Sequence, residues 1–329
     1  LVLEQVFGDN EQIKVATFAQ ERFASAGKLD SDIIVFTRRG KDIYAMAGII
    51  RSLKADENGK YKMYASINDA IEQAPSNETA YFGLFNRQVV NYNNTIYVEE
   101  NKDIVIVDCR ENADGAVVLR DGSYQDFMFV IRGTLELTYL SQYDIDSKGL
   151  KLTDSDSCKP FILEGNEDTL VNTSMFYIDG GTLKLTNGTT VQKTKANLSS
   201  TDNVFSVSGL NVNELKFGGA IWLKNGSVIL DNSTITDSKA TLNGGAIYQE
   251  NGTIEISNNS TIQNCSATNG LGGAIYSVGG SIVIDENSII SQNNAKKGGA
   301  ICVENGGQLK ASGVVFEGNH SSEDGGALD

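Results

Sequence analysis

In the C-terminal third of the chain, apolar and polar positions alternate in bursts of four to six residues, each closed by an Asn-Gly, Gly-Gly or Asp-Asn pair. Val228/Leu230, Ile254/Ile256, Ile282/Ile284 and Leu309/Ala311 show the period of two that belongs to a strand buried on one face. The bursts are too short and too rich in β-branched residues for amphipathic helices. They also recur. Gly-Gly-Ala-Ile begins at Gly218, Gly244, Gly272 and Gly298, and Gly-Gly-Ala-Leu at Gly325, in steps of 26 to 28 residues. At constant phase follow Gly226-Ser227-Val228, Gly252-Thr253-Ile254, Gly280-Ser281-Ile282 and Gly307-Gln308-Leu309. A third landmark places Ile235, Ile262, Ile290 and Phe316 each three residues before Ser238, Cys265, Asn293 and Asn319.

Three landmarks per period predict three strands per repeat, and their constant phase distinguishes stacked coils from a meander of hairpins. The expected fold is an all-β, right-handed parallel β-helix, with the hand taken from the general preference of parallel crossovers and coils about 4.8 Å apart. Each inward Ile, Val, Leu or Phe contributes about 1.5–3 kcal/mol, but only when a neighbouring coil covers it.

Upstream the pattern loosens without ending. Thr182-Leu183-Lys184-Leu185 and Thr134-Leu135-Glu136-Leu137 each follow a Gly and an aromatic-rich stretch, and Ile96/Val98, Ile104/Ile106 and Val117/Leu119 supply an earlier coil. Residues 139–160 and 195–213 read as loops leaving coil corners. Ser66 as N-cap, Ile67, Ala70, Ile71 and Ala74 on one face, and Pro75 predict a capping helix near 66–74. Residues 17–26 form a second candidate helix, and 32–52 read as strands. Residues 1–60 are therefore either a small α+β segment or a degenerate first coil, with the charged stretch 54–62 as boundary. Residues 61–329 form the β-helix, with regular repeats over 214–329. A fresh repeat opens at Gly325, so further coils of the same protein are expected beyond Asp329.

Composition narrows the function. The chain of 329 residues has 34 Gly against 2 Pro, and 42 acidic against 27 basic residues leave a net charge of −15. Phosphate repulsion excludes unaided nucleic-acid binding, and no apolar run is long enough for a spanning helix. One histidine, His320, and four well-separated cysteines offer no His-based or Cys-x-x-Cys metal site, and no motif calls for a cofactor.

The paired landmarks, Gly-Gly-Ala-Ile and Phe316-Glu317-Gly318-Asn319, resemble the GGA[ILV] and FxxN repeats of the chlamydial polymorphic membrane proteins and related giant surface proteins. The element is matched at five positions. At the third landmark FxxN is matched strictly once, with Ile replacing Phe at 235, 262 and 290, and Ser238 and Cys265 replacing Asn. The resemblance implies an extracellular β-helical stalk or passenger used in adhesion, partnered by a host-cell protein or glycan. It does not supply a ligand.

With Ile221, Ile247, Ile275 and Ile301 inward, Trp222, Tyr248, Tyr276 and Cys302 should form one outward column. Exposed, Trp222, Tyr248 and Tyr276 would stack sugars or anchor a partner; the same rings also suit packing between coils or beneath a loop. The Gly pairs fit a tight corner needing positive φ, and Ser238, Asn293 and Asn319 fit ladders that satisfy corner backbone groups. A Cys265–Cys302 disulfide is disfavoured by phase. Sequons such as Asn187-Gly188-Thr189 and Asn232-Ser233-Thr234 are either glycosylation acceptors or a by-product of Asn-rich turns.

Polysaccharide lyases and glycoside hydrolases also use β-helices, and such a site needs clustered carboxylates with Arg, Lys or His. The regular repeats contain no Arg, and Asp231 and Glu286 stand without a recurring second acid. Arg110, Arg120 and Arg132, near Asp108, Asp121 and Asp126, are the first suspects for chemistry. No catalytic or metal-binding residue is assigned, and a non-enzymatic adhesin segment is the favoured reading. A carbohydrate-active enzyme and a structural fibre or surface-layer component are the alternatives.

Overall fold

A computed structural model describes residues 34–39, 42–47, 50–57, 59, 61–64, 66–85, 90–92, 94–110, 118–120, 126–150, 158–165, 173–197, 207, 210, 214–285 and 287–329. The candidate helix at 17–26 lies outside them. The architecture is a parallel β-helix. One row of strands runs through Ile96–Val98, Phe129–Ile131, Phe176–Thr186, Ile221–Asp231, Ile247–Gln249, Ile275–Ser277 and Ile301–Val303, all parallel. A second row runs from Thr79–Leu84 through Asp103–Asp108 and Thr134–Thr138 to Gln308–Ala311. The two rows belong to one sheet because Phe176–Thr186 and Ile221–Asp231 bend across their glycines and serve both. A separate eight-stranded sheet carries the third landmark.

The sequence pattern does not predict a fourth row. Two-residue strands at Lys195–Ala196, Lys239–Ala240, Ser266–Ala267, Asn294–Ala295 and His320–Ser321 stack as a five-stranded sheet. Each coil of the regular repeats thus has four strands rather than three. A two-residue strand is too short to show periodicity.

Like residues lie over one another. Ile221, Ile247, Ile275 and Ile301 pair in register and are fully buried, as are Val228, Ile254 and Ile282 in the second row and Ile235, Ile262 and Ile290 in the third. They share one continuous core. Polar ladders turn the corners inside it. Asn293 Oδ1 accepts from the Cys265 amide at 2.9 Å, and Asn319 Oδ1 accepts from the Asn293 amide at 3.1 Å and from Asn293 Nδ2 at 3.0 Å. The two Asn side chains donate in turn to the carbonyls of Ile262 and Ile290. In earlier coils Thr194 donates to Ser238 at 2.7 Å. Immediately before this ladder, Lys193, Asp237, Asn264, Gln292 and Gly318 all have positive φ, so the corner is made by one left-handed residue repeated coil after coil.

The helix α1 (Ile67–Glu72) is capped by Ser66, whose Oγ accepts from the Asp69 amide at 3.0 Å. Its buried Ile67, Ala70 and Ile71 join the solenoid core. Ile50–Ser52 pairs antiparallel with both Met63–Tyr64 and Thr79–Leu84, so the stretch 54–62 connects two strands of one sheet. Ile34–Arg39 and Asp42–Ala47 form a separate antiparallel hairpin. Within 139–160, expected to be loop, lies a second helix, α2 (Gln142–Ser147), whose capping box pairs Ser141 with Asp144. Leu140, Ile145 and Leu150 from this excursion cover the outward residues Val105 and Val107 of the second row.

Candidate functional site

The outward column of the first row is real and longer than the repeats alone imply. Register aligns Tyr97, Val130, Tyr177, Trp222, Tyr248, Tyr276 and Cys302. Tyr177 was legible in Phe176-Tyr177-Ile178, which matches Ile221-Trp222-Leu223 in phase.

Of the two readings of Trp222, Tyr248 and Tyr276, the geometry has the rings packed beneath a covering chain rather than standing as an open ladder. Trp222 is 1% exposed and Tyr276 5%, and only Tyr248 keeps partial access to solvent. The cause is the connection leading back to Gly218. Its residues Val207, Leu210 and Leu215 pack with Phe127, Val130, Tyr177, Trp222 and Tyr248 into a cluster outside the solenoid core. Phe217 stacks on Tyr248 at 4.5 Å between centroids, and Tyr248 on Tyr276 at 5.6 Å. Trp222 sits edge-on to Tyr177, Phe217 and Tyr248. A loop of a few apolar residues seals the rings because water gains nothing from contact with them.

Carboxylates take the polar edges of the column. Trp222 Nε1 donates to Glu250 at 2.8 Å and Tyr276 Oη to Glu304 at 2.6 Å. Burial pushes the Glu250 carboxyl above its usual range, an effect partly offset by the Trp222 hydrogen bond. Burial also raises the phenols of Tyr177 and Tyr276, and Tyr248 is pushed up to about 12 from an ordinary 10.0. The folded chain therefore holds phenolic protons that an unfolded chain releases. The stability these tyrosines contribute is complete below pH 10.0 and is lost as pH rises through about 12. In an alkaline titration, tyrosinate absorbance should rise in two steps. Tyr177, Tyr248 and Tyr276 should ionise in the later step, together with loss of the β circular-dichroism signal. A single step near pH 10.0 for all 12 tyrosines, with the fold intact, would contradict the packing.

Two of the arginines suspected of chemistry are buried and bonded within the protein. Arg110 binds both oxygens of Asp108, Nε to Oδ1 and Nη2 to Oδ2 each at 3.0 Å, with both side chains almost wholly buried. Arg120 is buried and donates to the carbonyls of Thr173 and Ser174. Arg132 faces Glu99 near the surface at 3.4 Å, and Asp126 accepts from the Phe127 amide. Asp121 and Glu286 lie outside the described residues. Among the described residues no group of three or more His, Cys, Asp or Glu side chains converges as metal ligands, and no helix is long and apolar enough to cross a membrane.

Asn187 and Asn232 of the sequons occupy left-handed turn positions, φ 51° and 49°, which account for Asn there on backbone grounds alone. Cys265 belongs to the corner ladder, between the strands Thr261–Gln263 and Ser266–Ala267, and Cys302 to the aromatic column.

No curated protein and no solved structure matches the chain. Residues 281–304 and 313–329, from the last coils, match the Chlamydia polymorphic membrane protein repeat, and through those coils the chain is similar to that family.

Proposed function

We propose that the chain is a segment of a cell-surface or secreted adhesin, a rigid β-helical stalk that performs no chemistry and displays a lateral binding surface to a host-cell protein or glycan. The observation that carries this reading is the match of the last coils to a repeat family of surface proteins. It is supported by a scaffold in which the buried Asp108 and Arg110 bind each other in a bidentate pair.

With the aromatic column covered, the surface assigned to binding is the outward face of the second row in the last coils. Ser227, Thr253, Ser281 and Gln308 form one outward column there, and Ile229, Glu255, Val283 and Lys310 the next. Thr253, Glu255, Gln308 and Lys310 are exposed. A strip of hydroxyl, amide and charged groups on a stiff sheet suits hydrogen bonding to sugars or to an extended peptide.

The test is adhesion of beads coated with the chain to cultured cells, alongside a glycan array. Wild-type beads should adhere. Thr253→Arg with Gln308→Arg should abolish adhesion while leaving the circular-dichroism spectrum unchanged. Wild-type beads that bind neither cells nor glycans would overturn the adhesin reading, and a fully adhesive double variant would overturn the choice of face.

A further inference from the structure

Where the excursion carrying α2 rejoins the solenoid, it makes an antiparallel bridge between Asp108 and Lys159, with the Lys159 amide donating to the Asp108 carbonyl at 2.8 Å. One step further along each antiparallel segment, Cys109 and Cys158 stand directly opposite each other, with their Sγ atoms 3.5 Å apart. Opposed residues of an antiparallel pair have Cα atoms about 4.5–5.5 Å apart, within the range of about 4.4–6.8 Å that a disulfide spans. The backbone on the Cys109 side is held firmly. The Cys109 amide donates to Leu84 O at 2.9 Å, and the adjoining Asp108 carboxylate is gripped by the Arg110 amide and guanidinium. Cys109 is buried, Cys158 partly exposed, and both belong to the apolar cluster with Leu53, Val105, Val107, Leu140, Ile145 and Leu150.

We propose that Cys109 and Cys158 form a disulfide that staples the α2 excursion to the outer face of the solenoid. The oxidant is a small disulfide such as glutathione disulfide. The more accessible Cys158 thiolate attacks it and expels one glutathione thiolate. Cys109 then attacks the Cys158 sulfur of the mixed disulfide and expels the second. Two electrons pass to the glutathione sulfurs, and the two cysteine protons end on the released thiols. The closed loop spans a sequence separation of 49 residues, and such a link shifts the unfolding equilibrium on the order of 10³-fold toward the folded chain. The other two cysteines are unsuited to this exchange. Cys265 sits in a corner between strands and Cys302 within Ile301–Val303, and burial raises each thiol to about 12.

The test treats the whole folded chain with glutathione disulfide, alkylates the remaining thiols in urea and maps proteolytic peptides without reduction. The expected product has lost the mass of two hydrogen atoms, accepts alkylation only at Cys265 and Cys302, and yields one linked pair holding Cys109 and Cys158. Reduction should lower its urea midpoint. Cys158→Ser, and separately Cys109→Ala, should remove the link, whereas Cys265→Ser with Cys302→Ser should keep it. Alkylation at all four cysteines after oxidation would overturn the proposal. So would a glutathione adduct persisting at Cys158 or a link involving Cys265 or Cys302.

Discussion

Gly245→Ala should destabilise the regular repeats by more than about 4 kcal/mol, in the far tail of single substitutions. The backbone of Gly245 does not require positive φ; the difficulty is space. A Cβ there would overlap the Gly273 carbonyl oxygen of the next coil and crowd the Ser266 backbone. Neither neighbour can retreat, because Gly245 N is bonded to Gly272 O at 3.0 Å and Ser266 N to Ser238 O at 2.9 Å. The coils must part. Since each coil is stabilised only by its neighbours, hydrogen-exchange protection should fall in the coils on both sides of the substitution. Glu255, an exposed outward position of the same coil, supplies a control. Glu255→Ala should change stability by about 0.5 kcal/mol or less, and equal urea midpoints for the two variants would refute close backbone approach as the meaning of the second Gly.

Arg110→Ala should cost about 3–5 kcal/mol, because it leaves the Asp108 carboxylate buried without its partner. The pair is bidentate, 1% and 3% exposed, and Asp108 Oδ1 also accepts from the Arg110 amide at 3.0 Å. Replacing both residues with apolar ones, Asp108→Leu with Arg110→Met, should recover most of that loss, since desolvation of the two ions offsets much of their attraction. Chemical denaturation of the single and double variants measures the difference. If Arg110→Ala cost no more than a surface substitution, the pair would be open to water, and Arg110 would again be a candidate for substrate contact.

The regular coils were readable for a physical reason. In a solenoid the next coil is the environment of each residue, so a periodic sequence repeats its own packing partners. Ile221, Ile247, Ile275 and Ile301, the second-row alternation and the Asn293–Asn319 ladder all follow from one constant phase. The capping helix was likewise carried by local signals, Ser66 and a four-residue apolar face. The α2 helix had its own signal in Ser141 and Asp144, but the loop reading of 139–160 passed over it.

The sites were less readable because exposure is not a periodic property. Phase alone determined that Trp222, Tyr248 and Tyr276 form one outward column. Only the tertiary structure decided that Val207, Leu210, Leu215 and Phe217 cover it, since these covering residues recur at no constant phase. Proximity in sequence determined that Asp108 and Arg110 could meet, and the three-dimensional packing decided that they meet buried and saturated. The second Gly of each Gly-Gly-Ala reads as a turn residue in one coil, and its role in close backbone contact emerges only when the next coil is laid on it. Cys109 and Cys158 become neighbours through a chain reversal that no local pattern announces. What a residue shares with its counterparts one period away was thus written in the chain itself, while what non-repeating segments do to the outside of the solenoid depended on contacts between parts of the sequence that have no pattern in common.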